Sequence, residues 1–361
     1  MTVEFLAAPM SSQRAHSEPP PSALKSDEQV VFYPTCGSWD KEHDAWRFQI
    51  HGKVFEPEYN SIKRRLVLAW LRSSLNGQLE SDQLREDRVR HFLVDNERGK
   101  AVTIAVEGEN LRVGTSGPNG HFLTEHAIAA SKMIGVDSSR AENVIAFQAV
   151  LRENDSRSFT GRLHCLAESG VSVISDIDDT IKDSCVTEKS ELLRNTFMRE
   201  FKPVEGMAGL YRDLAESGVA FHYVSGSPWQ LYRPLEEFLA QFGYPRGTMH
   251  LKHFRLKDSS VIDLLGSQQE TKLAAIVPLL EQFPLRRFIL IGDSGEQDPE
   301  IYGQLARQYP AQVMAVYIRN VTDSARDDSR FTSAFRFVAG DRWCLFKEVP
   351  KIAADDLDAA Q

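Results

Sequence analysis

Two patterns of hydrophobic and polar positions divide the chain into two parts. Between residues 29 and 165, short alternating apolar runs are separated by turn residues, whereas from residue 166 onward apolar strands alternate with segments of helical spacing. Alternating runs suit antiparallel strands, and regular strand-helix alternation suits a parallel sheet covered by helices. The chain is therefore predicted to contain a smaller β-rich, sandwich-like domain over 29–165, followed by an α/β domain with a doubly wound parallel sheet over 166–345.

The β-rich part is predicted to carry structure rather than chemistry. One helix is expected over Ser61–Leu75, where apolar residues recur at helical spacing. The predicted strands are Val30–Tyr33, Ala45–Ile50, Val54–Phe55, Arg90–Val94, Ala101–Val106, Leu111–Val113 and Asn143–Leu151. Its histidines lack the spacing of metal ligands, and each is expected to be an ordinary surface or half-buried residue: His43, His51, His91, His121, His126 and His164.

The α/β part shows its elements through capping residues as well as periodicity. A helix lined by Met207 and Leu214 should end at Gly218, which stands in the position of a C-terminal cap. Ser227 and Pro228 are interpreted as the N-cap and the first residue of the next helix. Further helices are expected over about 270–282 and from Asp298 onward, and the predicted strands are Val219–Val224, Arg287–Ile291 and Val313–Ile318.

Both ends of the sequence are predicted to lie outside the folded domains. Residues 1–28 are polar and rich in proline, and such a segment buries too little apolar surface to fold, so it is expected to be a disordered tail. Residues 346–361 form a second predicted tail, which ends in a run of alanine and aspartate.

The most informative stretch is a short apolar strand that runs into a group of acids. The predicted strand Val171–Ser175 is followed by Asp176, Asp178, Asp179 and Thr180. An open parallel sheet places its chemistry at the carboxyl ends of its strands, and clustered carboxylates repel one another unless a cation lies among them. A divalent cation would satisfy this group. Standing alone, the pattern is explained equally well by an acidic turn with solvated side chains.

A second strand end repeats the pattern further along the chain. The predicted strand Arg287–Ile291 is followed by Asp293 and Asp298, and between the two acidic groups lie Ser225, after an apolar strand, and Lys272, at the start of an amphipathic helix. Each residue has a simpler explanation, since the serine could cap a turn, the lysine could be exposed and Asp298 could be a helix N-cap. Acids at two strand ends, however, have no structural use without a cation.

The order of these groups resembles the four motifs of the haloacid-dehalogenase-like phosphohydrolases. The longer stretches Ile174–Lys182, Tyr223–Tyr232 and Gly292–Tyr302 are similar to the catalytic domain of the actin-patch-protein type of phosphatidate phosphatase. The resemblance covers roughly residues 170–322. It departs from the family pattern at Gly226, where asparagine or serine is more usual. This resemblance implies that the α/β domain has the Rossmann-like architecture of that superfamily.

The resemblance also implies roles for the motif residues. Asp176 would be the nucleophile that becomes an aspartyl-phosphate, Asp178 the general acid and base, and Lys272 the cation that neutralises the transferring phosphoryl group. Ser225, Gly226 and Thr180 would lie against the substrate, with the threonine bracing the loop.

A magnesium ion is part of the same implied site. Its ligands would be Asp176, Asp293 and the main-chain carbonyl of Asp178, and Asp298 would hold the metal or its waters. All of these groups offer hard oxygen ligands of the kind that Mg²⁺ prefers.

The implied function is Mg²⁺-dependent hydrolysis of a phosphate monoester through an aspartyl-phosphate, with phosphatidate as substrate and diacylglycerol as product. The insert between the first two motifs, residues 183–204, is too short for a separate cap domain, which leaves the site open to bulky substrates. Two alternatives stay open. One is a related phosphatase acting on a soluble or protein phosphomonoester, and the other is a binding or scaffolding protein with a vestigial site.

Composition limits the classes of partner and the cellular location that are predicted. A formal net charge of -9 excludes the basic field typical of nucleic-acid binding, so no nucleic-acid partner is predicted. The four cysteines form no Cys-x-x-Cys pair, which predicts neither a zinc site nor a disulfide framework. No run approaches the roughly 18 apolar residues of a membrane span. A cytoplasmic protein, peripheral at membranes, is therefore expected.

One basic stretch bears on the predicted membrane contact. Leu251–Lys257 interleaves cations with apolar residues, as a local contact with a lipid surface does. An ordinary strand with solvated basic residues explains the stretch equally well. The partner of the β-rich domain is unknown at this level.

Overall fold

A computed structural model describes residues 18–57, 65, 68–69, 84–133, 136, 142–253 and 268–352. The predicted helix over Ser61–Leu75 lies outside the described residues except at three isolated positions, and the stretch Leu251–Lys257 is described only as far as His253. The far ends of both predicted tails, residues 1–17 and 353–361, also lie outside the described residues.

The β-rich part is one hydrogen-bonded sheet within the described residues. Its strands are β1 (Gln29–Tyr33), β2 (Thr35–Asp40), β3 (Ala45–Pro57), β4 (Val94–Asn96), β5 (Ala101–Val106), β6 (Glu109–Thr115), β7 (His121–Ala129), β8 (Glu142–Ala149) and β9 (Thr160–Leu166). The order is β1-β3-β2-β9-β8-β5-β6, and β4 and β7 also pair with β3. All of these pairs are antiparallel except β2 with β9.

The long strand β3 explains why this part is not two separate sheets. One edge of β3 pairs with β7 from Ala45 to Lys53, while the other edge pairs first with β2 and then, from His51 to Phe55, with β1. The sheet therefore folds over its own core, in which Trp46, Phe48 and Ile50 pack with residues from the other strands. The sandwich-like prediction captured the enclosed core but not this connectivity.

Three details differ from the sequence-based expectation. The predicted strand Arg90–Val94 is instead a 3₁₀ turn, Arg90–Phe92, followed by β4. Strands β2, β7 and β9 were not predicted. The described end of the predicted N-terminal tail packs on the sheet, because Leu24 is in the core and the Ser22 hydroxyl donates to the Thr103 carbonyl at 3.0 Å.

The second large sheet is entirely parallel. Its strands are β10 (Ser169–Ser175), β13 (Ala220–Pro228), β14 (Thr248–Lys252), β15 (Leu285–Asp293), β16 (Val313–Arg319) and β17 (Trp343–Phe346), in the order β14-β13-β10-β15-β16-β17. A small antiparallel pair, β11 (Lys182–Asp183) with β12 (Lys202–Pro203), lies apart from it. The chain runs outward from β10 on one side and then, from β15, on the other. The carboxyl ends of β10 and β15 therefore flank a crevice.

Helices cover both faces of the parallel sheet. They are α2 (Lys189–Phe197), α3 (Met207–Glu216), α4 (Tyr232–Gln241), α5 (Gln268–Gln282), α6 (Asp298–Gln308) and α7 (Ser329–Ala334), preceded by the short α1 (Glu86–Val89). Alternate residues of β15 enter different cores: Ile289 and Ile291 pack with α3 and α4, whereas Phe288 and Leu290 pack with α5 and α6. The predicted C-terminal cap of α3 is confirmed, since Gly218 has a φ of 80°.

One helix boundary was predicted wrongly. Strand β13 continues through Pro228, a 3₁₀ turn follows over Trp229–Leu231, and α4 begins only at Tyr232. Ser227 is therefore not an N-cap. Its hydroxyl donates to an aspartate of the crevice instead.

The two sheets share an interface with a continuous apolar core. Val31 and Tyr33 of β1, with Val89 of α1, belong to the same buried cluster as α3 and α4. The Tyr33 ring lies 4.1 Å from that of Trp229, measured between centroids. Such an interface holds the β-rich part firmly against the α/β part.

A buried arginine ties the connection between the sheets to the parallel sheet. Arg286 donates to the carbonyls of Ala167 at 2.8 Å, Ser169 at 2.7 Å and Val171 at 2.8 Å, and to the Ser172 hydroxyl at 3.0 Å. These bonds fix the start of β10, the strand that leads to the acids.

Arg286→Met is therefore expected to lower the free energy of unfolding by about 3 kcal/mol or more, because each hydrogen bond to a charged group is worth about 1.5–3 kcal/mol. Urea denaturation measures the change. Arg287→Met, at the adjacent half-buried position, should cost about 0.5 kcal/mol. Equal losses in the two variants would contradict this account.

Candidate active site

The first acid lies directly beyond the central strand. Asp176 follows β10 and is fully buried. Its main-chain N–H donates to the Ile291 carbonyl at 2.9 Å, which fixes it beside β15. The Thr180 hydroxyl donates to Asp176 Oδ2 at 3.1 Å, so this threonine braces the loop against the carboxylate.

Lys272 of α5 is the cation of the site. It is fully buried, and its Nζ lies 2.8 Å from Asp176 Oδ1, 2.5 Å from Asp298 Oδ1 and 3.0 Å from Glu296 Oε2. Burial alone would lower the pKa of this ammonium, but the three carboxylates outweigh burial and raise its pKa well above the usual value. The lysine therefore stays charged, and the alternative of an exposed lysine is wrong.

The second pair of acids is held by the end of β15 and the start of α6. Asp293 Oδ1 accepts the main-chain N–H groups of Gly295 at 2.6 Å and Glu296 at 3.1 Å. Asp298 Oδ2 accepts the Asp293 N–H at 3.2 Å. Gly292 is required here, because a Cβ at this position would lie 2.3 Å from Asp298 Oδ2. Asp298 is the first residue of α6, not its N-cap, and its carboxylate points toward Lys272 and Asp293.

The acidic cluster carries more negative charge than its lysine can neutralise. Carboxylate oxygens of Asp176, Asp293, Glu296 and Asp298 lie within 4.8 Å of one another, and Lys272 is the ammonium among them. Burial, together with the neighbouring acids, raises the pKa of Asp176 and of Asp293 well above the usual value. The group can reach charge balance by binding protons or a cation.

The donor set fits a small divalent cation. All four side chains offer oxygen ligands, which Mg²⁺ prefers. Asp293 Oδ2 is buried and has no hydrogen-bond partner among the described residues, and an orphaned carboxylate oxygen of this kind is costly unless a cation or a water satisfies it. The residues therefore could bind a metal ion at this place.

Asp178 belongs to a separate network on the other side of the loop. Its Oδ1 lies 2.6 Å from Lys182 Nζ and accepts the Ser184 hydroxyl at 2.8 Å, while Oδ2 accepts the hydroxyls of Ser225 at 3.1 Å and Ser227 at 2.8 Å. Burial would raise its pKa, but the Lys182 charge and these hydrogen bonds prevail and lower the pKa of Asp178 to about 2. This carboxylate is ionised at neutral pH.

Asp179 organises the loop. It has a φ of 53°, in the left-handed region, and its carboxylate accepts the main-chain N–H groups of Ser184 at 2.7 Å, Cys185 at 2.9 Å and Val186 at 2.6 Å. Arg319 of β16 donates to its carbonyl at 2.7 Å. These bonds hold the carboxylate away from the acidic cluster, in a structural position.

The structure brings the predicted site residues into two adjoining groups. Asp176, Lys272, Asp293 and Asp298 form one, and Asp178 with Ser225 forms the other. Gly226 is buried in β13 between the two serines that contact Asp178. The residues in contact with these groups that sequence reasoning did not assign to the site are Lys182, Ser184, Ser227 and Glu296. Lys182, Ser227 and Glu296 lie within the similar stretches, and their polar character was the available signal.

Comparison with known proteins finds a family match within the α/β part. Residues 171–320 match the family described as "Phosphatidate phosphatase APP1, catalytic domain". This match confirms the resemblance predicted from the motifs, and it includes the acids, Lys272 and Ser225.

Two curated relatives show the same region of similarity. The protein named "Phosphatidate phosphatase APP1" of Saccharomyces cerevisiae is 37% identical over 162 residues, which is 44% of this chain and 27% of that protein. "Uncharacterized protein C29B5.04c" of Schizosaccharomyces pombe is 29% identical over 188 residues, which is 50% of this chain and 31% of that protein. The matched region is therefore about a third or less of each relative.

One solved structure gives a weaker likeness. The apo structure of Bacteroides uniformis beta-glucuronidase 3 has a TM-score of 0.26 and 9% identity, with 80% of this chain and 33% of that chain covered. This likeness carries no argument about fold or function. Within the part of the chain that the structure describes, none of the helices combines the length and apolar character needed to traverse a bilayer.

Proposed function

We propose that the chain is a Mg²⁺-dependent phosphatase that hydrolyses a phosphate monoester through an aspartyl-phosphate, with phosphatidate as its substrate and diacylglycerol as its product. The observation that carries the proposal is the buried cluster of carboxylates around Lys272 at the ends of β10 and β15. The strand order β14-β13-β10-β15-β16-β17, with helices on both faces, supports a doubly wound architecture like that of the haloacid-dehalogenase superfamily.

Asp176 is the nucleophile in this proposal. An oxygen of its carboxylate forms a bond to phosphorus while the bond from phosphorus to the alcohol oxygen breaks, and the alcohol leaves with a proton. Lys272 lies 2.8 Å from Asp176 Oδ1, so the ammonium orients the carboxylate and supplies positive charge beside the transferring group. Water then attacks the phosphorus of the aspartyl-phosphate, which releases phosphate and restores Asp176.

Asp178 is the general acid and base in this proposal. It protonates the leaving alcohol oxygen and then removes a proton from the attacking water. With a pKa of about 2, the carboxyl is ionised before substrate binds. A phosphoryl group beside it adds negative charge, which raises the pKa of a neighbouring acid. Substrate binding therefore raises the pKa of Asp178 toward the range in which its protonated form can serve the first step, and the ionised form serves the second step.

The cation would be held by Asp176, Asp293, the main-chain carbonyl of Asp178 and Asp298. When bound, Mg²⁺ would supply the positive charge that allows an anionic carboxylate to approach an anionic phosphate. The orphaned Asp293 Oδ2 and the excess of buried carboxylates support this assignment.

Three groups would contact the phosphate in this proposal. The Ser225 hydroxyl lies beside Asp178, the Gly226 backbone follows it, and Thr180 contacts Asp176. The name of the Saccharomyces cerevisiae relative supports phosphatidate as the substrate. A cytoplasmic location at membrane surfaces stays a prediction, which flotation of the protein with phosphatidate-containing liposomes would test.

A phosphate-release assay tests the proposal directly. Full-length protein is expected to release phosphate from phosphatidate in mixed micelles, to lose activity in EDTA and to recover it with Mg²⁺. Phosphosugars and phosphopeptides serve as comparison substrates. Turnover of these in preference to phosphatidate would support a soluble or protein substrate instead. Absence of Mg²⁺-dependent release from every substrate would favour the alternative of a binding protein with a vestigial site.

A further inference from the structure

Strand alternation in the β-rich sheet turns two histidines toward the α/β part. On β3, Ile50 packs in the core of the β-rich sheet, so the next residue, His51, lies on the opposite face. On β7, Phe122 packs in the same core, and His121 before it also lies on the opposite face. That face meets the α/β part, where Trp229 lies 4.7 Å from the His51 ring, measured between centroids.

A third histidine reaches the same place from the α/β part. His253 follows the end of β14, and its ring centroid lies 4.6 Å from that of His121. One nitrogen from each of His51, His121 and His253 lies within 4.8 Å of the others. These residues are far apart in sequence, and the contact between the two sheets is what brings them together.

The separation of the nitrogens suits a metal ion. His51 Nε2 and His121 Nδ1 are 3.2 Å apart. Two imidazole nitrogens on a tetrahedral zinc, each at about 2.0–2.1 Å from the metal, lie about 3.3 Å apart. The same distance also fits a hydrogen bond between two neutral imidazoles. A hydrogen-bonded pair of histidines does not require the third histidine, His253. A metal site uses it, because His253 supplies a ligand from another direction.

We propose that His51, His121 and His253 form a Zn²⁺ site that joins the β-rich part to the α/β part. Imidazole nitrogens suit zinc, and three protein ligands leave a fourth position for water. His51 is buried, His121 is half-buried and His253 is exposed, so the site is anchored inside and reachable from solvent. The rings of Tyr33 and Trp229 lie beside His51 and limit the movement of the ligands.

This site is separate from the acidic cluster in its ligand chemistry. The acidic cluster offers oxygen ligands, which suit Mg²⁺, whereas the histidine site offers nitrogen ligands, which suit zinc. The two sites are connected through the end of β13. Trp229, which lies beside His51, follows directly after β13, and Ser227 near the end of β13 donates its hydroxyl to Asp178. Zinc would therefore fix the interface that supports the end of β13, where Ser225 and Ser227 lie.

Zinc binding to the full-length protein tests the proposal. The protein is stripped with a chelator, supplied with excess Mg²⁺ to fill the acidic cluster, and titrated with Zn²⁺ by calorimetry. One tight zinc site per chain is expected, with a rise in the midpoint of thermal unfolding. His253→Ala is expected to weaken zinc binding by at least about tenfold, because even the loss of an outer partner of a ligand costs about 10–100-fold. His121→Ala should have a similar effect.

Matched variants separate this site from other zinc-binding groups. His43→Ala removes an exposed histidine that pairs with Asp40 and should leave zinc affinity unchanged. Asp293→Asn alters the acidic cluster and should also leave the tight zinc site intact. Co²⁺ in place of Zn²⁺ should give the visible absorption of a tetrahedral site in the parent protein and not in His253→Ala. Circular dichroism checks that the variants are folded.

Two results would overturn the proposal. The first is the absence of tight zinc binding in the parent protein, which would leave His51 and His121 as a hydrogen-bonded pair. The second is unchanged zinc affinity in His253→Ala, whose exposed position at a strand end makes misfolding a poor explanation. Either result leaves the proposed phosphatase activity untouched, since that activity depends on the acidic cluster.

Discussion

Asp176→Asn is expected to reduce phosphate release by at least about 10⁴-fold, since loss of a catalytic nucleophile alone costs about this much or more. The amide cannot form the bond to phosphorus, yet it keeps the size of the carboxylate and can still accept the Thr180 hydroxyl. Turnover of phosphatidate in mixed micelles and of a small aryl phosphate measures the effect. Both rates should fall together, because the change affects chemistry rather than lipid recognition.

The fold should withstand this substitution. Asp176 is one of four clustered carboxylates, three of which are buried, so removing its charge relieves repulsion while Asp298 and Glu296 still pair with Lys272. We expect an unchanged or slightly increased free energy of unfolding. Asp183→Asn, at an exposed position of β11, is the matched control and should retain full activity. Substantial Mg²⁺-dependent turnover by a folded Asp176→Asn protein would exclude the covalent mechanism.

Sequence could predict the acidic cluster because its members follow strand ends. Asp176 and Asp293 each come directly at the end of an apolar run, and the carboxyl ends of neighbouring parallel strands meet. Their contact therefore follows from local pattern and strand direction alone. The Lys272 contact was reached only through the resemblance, because no local rule distinguishes a buried lysine at the start of a helix from an exposed one.

Ser227 shows where a local rule fails. A serine followed by proline is a common helix start, but here the serine hydroxyl has a charged acceptor, Asp178, at 2.8 Å. A hydrogen bond to a buried carboxylate is worth more than a helix cap. The strand therefore continues through Pro228, and the helix begins later. Tertiary contacts decide such boundaries, and a single sequence does not contain them.

The histidine group was beyond sequence reasoning for a different reason. His51 and His121 are 70 positions apart, and their contact depends on the pairing of β3 with β7, a strand whose polar and apolar residues gave too weak a pattern to predict. His253 joins them only through the packing of the two sheets. Metal-ligand spacing identifies sites formed within one local segment, whereas this group is formed by three separate segments.

The two parts, predicted as separate domains, share core residues at their interface. Val31 and Tyr33 belong to β1 of the β-rich sheet but pack in the core of the α/β part, so β1 serves both cores. The Met249 N–H of β14 donates to the Pro34 carbonyl at 3.2 Å. Alternation on β1 explains this double use, because Phe32 faces one core and Tyr33 the other. The β-rich part therefore supports the sheet that carries the acids.

Lys272→Met is expected to lower the free energy of unfolding by about 3–5 kcal/mol, because it removes the cation from a buried group of carboxylates and leaves their charge uncompensated. Methionine keeps the length of the apolar stem, so the loss is mainly electrostatic. Urea denaturation at neutral pH measures it. Lys189→Met, at an exposed position of α2, should change stability by about 0.5 kcal/mol or less.

The loss of stability in Lys272→Met should depend on pH and on Mg²⁺. Asp176 and Asp293 have raised pKa values, so the folded protein holds protons that the unfolded chain releases, and its stability falls as pH rises. In Lys272→Met the fall in stability with rising pH should be larger, and the variant should recover stability at mildly acidic pH. Mg²⁺ should stabilise Lys272→Met more than the parent, because the cation replaces the missing charge.

A double substitution gives the sharpest test of this charge balance. Asp298 Oδ1 lies 2.5 Å from Lys272 Nζ, so Lys272→Met with Asp298→Asn removes one charge of each sign. The double variant should be more stable than Lys272→Met alone, with a coupling energy of about 0.5–3 kcal/mol. If the two losses simply add, or if Lys272→Met is as stable as the parent at neutral pH without Mg²⁺, the lysine does not neutralise the cluster.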